Sequence, residues 1–85
     1  MIKINFMNYI MGIETSCDET SVSIINSEVK VLSNSTFSQI SIHKEYGGVV
    51  PEIASKNHLK KIIPVIDLSL KEAKKSIEQI SSLCV

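Results

Sequence analysis

The stretch "GIETSCDETSVSIIN", residues 12–26, enters as an apolar strand end, turns abruptly polar over "TSCDET", and leaves as a second strand. Residues 9–15 form a mostly apolar run with no helical period, which suits a strand covered on both faces. In "SVSIIN", Val22 and Ile24 share one face while Ser21, Ser23 and Ile25 share the other, the period-2 signature of a half-buried strand. Asn26, Ser27 and Glu28 supply turn chemistry. From Val29 to about Gln39 the chain reads as a third extended segment, weakened by the polar "SNST" inside it. The simplest arrangement is a three-stranded antiparallel meander.

Beyond "SIHKEYGGVVPE" the period changes. Gly47 and Gly48 interrupt the chain, Pro51 suits the first turn of a helix, and Glu52 there complements the helix dipole. Leu59, Ile62, Ile63, Ile66, Leu70, Ala73 and Ile77 then follow three-and-four spacing, and the lysines fall mostly elsewhere, which predicts one long amphipathic helix from Pro51 to Lys75. Pro64 removes one backbone hydrogen bond inside it and is expected to kink or split it near residues 60–63. The closing "QISSLCV" reads as the start of a fourth strand, which a crossover would bring parallel to an earlier one. The expected class is therefore α/β.

Bulk properties narrow the function classes. With 85 residues, 44% of them hydrophobic and 21% charged, the chain has room for one small core. Nine basic and nine acidic residues cancel, so no whole-chain field draws it to nucleic acid or to an anionic membrane. No apolar run is long enough to span a bilayer. Cys17 and Cys84 make neither a disulfide framework nor a C-x-x-C pair, and a reducing, cytoplasmic compartment is the default. Residues 1–12 read as a short lead-in to the first strand, with Met7 as an alternative start.

Two readings of "TSCDET" compete. Ser, Asp and Thr are ordinary hairpin residues because their side chains bond to nearby backbone. Equally, a tight turn at a strand end presents backbone N–H groups to an anion, Ser16 and Thr20 add hydroxyls, and Asp18 or Glu19 can hold a cation or accept a proton. His43 and His58 are not at metal-ligand spacing and read as structural. Cys17 has no paired base in view and reads as a small half-buried side chain. Gly47 and Gly48 lack P-loop spacing, and the helix lysines read as a solvated face.

Taken together, "GIETSCDETSVSI", "SNSTFSQISIHKEYGGVVPEIASKNHL" and "LSLKEA" resemble the amino-terminal part of the tRNA threonylcarbamoyladenosine synthase family, the threonylcarbamoyl transferases once called O-sialoglycoprotein endopeptidases. The likeness covers about residues 10–85, and "SCDET" with "YGGVVPE" is specific in combination. It implies that residues 1–85 are the truncated amino-terminal subdomain of an actin- and hexokinase-like (ribonuclease H-like) fold. It also implies transfer of a threonylcarbamoyl group from its adenylate, the co-substrate, to the adenosine beside the anticodon of tRNA. On this resemblance Ser16, Cys17 and Thr20 lie in the first phosphate-contacting loop, and Asp18 or Glu19 orients a water or metal shell or helps take a proton from the attacking amine.

The family's iron or zinc is held by a histidine pair and an aspartate that have no counterpart before Val85, and His43 and His58 do not replace them. The helix also lacks the glycine that often ends it in the family, so its stop is expected to be less clean. The chain is expected to be a split, truncated or decayed form, inactive alone and marginally folded. An alternative function is a non-catalytic interaction module docking through the helix. In the family that helix meets a paralogous non-catalytic subunit; the bacterial paralogue lacks both motifs, so this sequence fits the catalytic member.

Overall fold

The computed structural model describes residues 8–85, and the alternative start at Met7 lies outside them. Strands β1 (Tyr9–Glu14), β2 (Glu19–Asn26) and β3 (Val31–Ser38) form the expected antiparallel meander. A short helix, α1 (Ile40–Lys44), follows, then the long helix α2 (Pro51–Ala73), one 3-10 turn (Ile77–Gln79) and β4 (Ile80–Cys84). The sheet order is β3-β2-β1-β4, and β4 lies parallel to β1 as a crossover through α2 requires. The helix α1 was not foreseen: "ISIHK" is too short to carry a periodic signal.

Alternation in β2 sets the layers. Thr20, Val22, Ile24 and Asn26 are buried, and their registered neighbours Ile13, Met11 and Tyr9 on β1 face the same side. Met11, Val22 and Ile24 meet Val65 of α2, with Leu32, Phe37, Ile66, Leu70 and Ile80 packed around them. This is the single core that the length allows. The opposite face carries Gly12, Ser21, Ser23, Asn34 and Thr36 and is uncovered among the described residues, where the sequence had suggested burial of β1 on both sides.

The apolar stripe on α2 is rotated from its expected position. Buried positions are Ala54, Val65 and Ser69, whereas Leu59 is 80% and Ile63 60% exposed. The cause is on the sheet: β3 contributes Ser33 and Ser35 to the inner face, and hydroxyls need partners there. Ser69 Oγ donates to the Val22 carbonyl oxygen at 3.1 Å and meets Ser33 Oγ at 2.7 Å, and Ser35 Oγ donates to Glu72 Oε2 at 3.0 Å. A serine therefore occupies the centre of the contact, with Ile66 and Leu70 beside it.

Pro64 does not split the helix. Its ring leaves the Lys60 carbonyl without an intrahelical donor, but Lys60 and Pro64 are both exposed, so water can supply the missing partner. At the other end the stop is clean without glycine. Lys74 adopts φ 57°, and the Lys75 and Lys74 N–H groups reach back to the Leu70 and Lys71 carbonyls, a Schellman closure. Nor are all the helix lysines solvated: Lys61 lies 4.8 Å over the Phe37 ring and Lys75 4.5 Å over Tyr9.

Candidate functional site: the loop between β1 and β2

The turn that joins β1 to β2 is closed by the Glu19 N–H donating to the Ser16 carbonyl at 3.2 Å, and Cys17 sits at its apex with φ 50°. A left-handed conformation is unfavourable for a residue with a Cβ, so something must hold it. Two distant residues do. The Gln39 N–H, at the entry to α1, donates to the Asp18 carbonyl at 2.6 Å. His58, two turns into α2, places Nε2 3.0 Å from the Cys17 carbonyl oxygen and Nδ1 2.7 Å from Thr20 Oγ1. A carbonyl only accepts, so Nε2 carries the proton; in the neutral ring Nδ1 is then the acceptor and the Thr20 hydroxyl donates to it.

The second motif is tied into the same network. Gln39 is fully buried; its Oε1 accepts from His43 Nε2 at 2.7 Å and its Nε2 donates to the Ala54 carbonyl at 3.3 Å. His43 Nδ1 in turn accepts the Val50 N–H at 3.0 Å, and the His43 carbonyl receives the Tyr46 and Gly48 N–H groups as the chain folds back through Gly47, at φ 76°. Hydrogen bonds thus run from the β1–β2 loop through Gln39 and His43 to the start of α2. The reading of both histidines as structural stands, but sequence reasoning missed what they hold. Their only signal was two histidines flanking "YGGVVPE"; nothing local reveals that the partners of His58 lie 38 and 41 residues away.

The candidate site residues do not share one surface. Thr20 is 0% exposed, with its hydroxyl committed to His58. Cys17 and Thr15 line a cleft of about 500 Å³ against Val49, Pro51 and His58. Asp18 borders a neighbouring hollow of about 320 Å³ beside Lys44, Gly47 and Gly48. Glu19 turns to the uncovered sheet face, where with Glu14, Ser21 and Asn34 it lines a polar depression of about 530 Å³. Ser16 is exposed and donates its hydroxyl to the Glu14 carboxylate. The loop is a ridge between three hollows, with the two carboxylates on different flanks.

Comparison with known proteins gives this arrangement a family. Residues 30–85 match the family described as "TsaD: tRNA N6-adenosine threonylcarbamoyltransferase". The chain belongs to this family. Relatives carrying the name tRNA N6-adenosine threonylcarbamoyltransferase include those of Fusobacterium nucleatum and Persephonella marina, each 53% identical over 76 residues, and that of Dehalococcoides mccartyi, 51% identical over 76 residues. These alignments cover 89% of this chain but only 22–23% of each relative, so the chain spans less than a quarter of their length.

The metal that the resemblance implies does not fit the residues described. Both ring nitrogens of His43 and of His58 are engaged by protein partners, and no three His, Cys, Asp or Glu side chains among the described residues converge on a point. Nor is any helix among the described residues long and apolar enough to cross a membrane.

Proposed function

We propose that this chain is the amino-terminal part of a threonylcarbamoyltransferase of the actin-like fold, and that the β1–β2 loop contacts the phosphate side of the threonylcarbamoyl adenylate. The reaction forms a bond between the exocyclic amine of the adenosine beside the tRNA anticodon and the carbamoyl carbon, breaks the bond from that carbon to the phosphate oxygen, and releases AMP. The attacking amine gives up one proton, and Asp18 or Glu19 is positioned to assist its transfer or to orient a water. Iron or zinc would be held by parts of the family's sequence outside residues 1–85. The observation that carries this reading is the loop itself: an exposed polar apex in a left-handed conformation, fixed by two hydrogen bonds from residues outside the hairpin. The test is a full-length transferase in which this chain replaces the corresponding amino-terminal part of the Fusobacterium nucleatum relative. Modified adenosine in tRNA supplied with the adenylate is the expected result; a folded hybrid that modifies none would reject it.

Helix α2 supports a partner surface within the same reading. Ile66 and Leu70 pack on the core while Leu59 and Ile63, one turn apart on the same face, point outward, an apolar ridge of the kind that a second helix covers. The proposed occupant is the paralogous non-catalytic subunit of the family. In the hybrid, Leu59→Asp and Ile63→Asp are expected to weaken capture of that subunit while the helical circular dichroism stays unchanged, because neither side chain contributes to the core. Undiminished capture by both would remove the interface.

A further inference from the structure

We infer that His58 is a positioning residue for the site: it sets the Cys17–Asp18 peptide so that the Asp18 N–H is an outward donor to an anionic oxygen of the substrate. This rests on the loop reading proposed above and adds a residue to it that the motif "SCDET" does not contain. The Cys17 carbonyl is drawn inward to His58 Nε2 at 3.0 Å. In a planar trans peptide the carbonyl and the following N–H point in opposite directions, so the Asp18 N–H is turned away from α2. No protein acceptor among the described residues takes it. The next peptide is fixed differently: the Asp18 carbonyl accepts from Gln39, and the Glu19 N–H is consumed inside the turn by the Ser16 carbonyl. The Asp18 N–H is therefore left facing out, as are loop donors at Ser16 and Cys17 that no protein acceptor among the described residues takes, but it is the one whose direction depends on a histidine 41 positions along the chain.

The imidazole is itself set. Thr20, fully buried on β2, donates to Nδ1 at 2.7 Å, which fixes both the ring's orientation and which nitrogen carries the proton toward Cys17. Thr20 thus bears on the loop through His58, not by touching a ligand. Without the clamp, the left-handed Cys17 is held only by the turn's own Ser16–Glu19 bond and by the Gln39 bond to the next carbonyl, and its peptide is freer to turn toward more favourable dihedrals.

The test uses the full-length hybrid and four variants: His58→Ala, His58→Gln, Thr20→Val and Asp18→Ala. A glutamine amide can donate to the Cys17 carbonyl but cannot shuttle protons as imidazole does. For His58→Ala the expected result is a loss in kcat/KM for the adenylate of about 10- to 100-fold, carried by its KM, with the KM for tRNA unchanged. His58→Gln should recover to within about fivefold of the parent, since the loop geometry and not proton transfer is what it restores. Thr20→Val, which frees the ring without removing it, should fall between the two. Full activity of His58→Ala beside an inactive Asp18→Ala would overturn the clamp and leave the loop site standing. Full activity of Asp18→Ala and Glu19→Ala together would remove the carboxylate roles, and the main-chain donor then stands or falls with His58→Ala. A folded His58→Gln as inactive as His58→Ala would also overturn positioning, because the imidazole would then act directly. Should His58→Ala not fold, His58→Gln and Thr20→Val decide the matter by the same criteria.

Discussion

The two hairpin turns of the meander are built on opposite plans. Between β2 and β3, Asn26 does nearly everything: its Oδ1 accepts the Glu28 and Lys30 N–H groups at 3.0 Å each, its carbonyl accepts the Val29 N–H, and its own N–H donates to the Lys30 carbonyl. Val29 occupies the left-handed region there at φ 62°, held by bonds within five consecutive residues. Between β1 and β2 the left-handed residue is Cys17, and its turn is held by Gln39 and His58, from α1's entry and from α2. A turn organised by its own asparagine serves the folding of its own hairpin. One whose apex is fixed from two remote elements is placed with respect to them, and small distortions in either are felt at its carbonyls.

The largest expected effect tests that difference directly. In the full-length hybrid, Asp18→Ala and Glu19→Ala should each lower turnover by about 10²- to 10⁴-fold if their carboxylates assist proton transfer, while unfolding free energy stays within about 0.5 kcal/mol, as for substitutions away from the core. Because Asp18 and Glu19 sit on different flanks of the loop, the two variants also separate their roles. Full activity in both would remove the carboxylates from the chemistry and leave the β1–β2 turn only its main chain as a functional feature.

Next comes the buried polar seam that joins the turns' common strand to α2. Ser69→Ala leaves the Val22 carbonyl without its side-chain donor and Ser33 Oγ without its partner, both in the interior. The expected cost is about 1–3 kcal/mol of stability, read as a lower denaturation midpoint, with kcat per folded molecule unchanged. A stabilising result would show that the seam is dispensable packing and that the helix is not registered by it.

This seam also explains how far the sequence could be read. Elements announced by period were legible: the alternation of Val22 and Ile24 marked β2, Pro51 marked the start of α2, and "QISSLC" became β4 beside β1. The family followed from "SCDET" and "YGGVVPE". The rotation of α2 was not legible, because hydrophobic spacing favours Leu59 and Ile63 and carries no information that Ser33 and Ser35 on the facing strand need Ser69 opposite them. The clamps on the loop were hidden for a related reason. Hydrogen bonds from Gln39 and His58 to main-chain carbonyls place no demand on the residue types of the loop, so the loop's own letters cannot name them.

At the turn between β2 and β3 the effect is smaller. Asn26→Ala removes two side-chain acceptor bonds and is expected to cost about 1–2 kcal/mol, in the range of a lost cap. Turnover per folded molecule should not change, since Asn26 lies at the end of β2 away from Cys17 and Asp18. A fall in kcat/KM comparable to that of Asp18→Ala, at equal folded fraction, would mean that both turns feed the same site.

The smallest expected effect is Cys17→Ser, and it decides what kind of ridge the loop is. Cys17 is exposed, and its hydrogen bond to the described residues runs through its carbonyl to His58. Serine keeps the size of the side chain and that carbonyl, and it adopts φ 50° at a cost similar to cysteine's. Stability should therefore change by less than about 0.5 kcal/mol, and kcat/KM for the adenylate by only a few-fold, about 1 kcal/mol or less. An inactive but folded Cys17→Ser would show that the sulfur takes part in the chemistry. The loop would then act through a side chain at its apex, and the orientation of the Asp18 N–H by His58 would be secondary to it. A near-parental rate, set beside a large loss in His58→Ala, gives the opposite assignment: the main chain at Cys17 is what the remote clamps exist to hold.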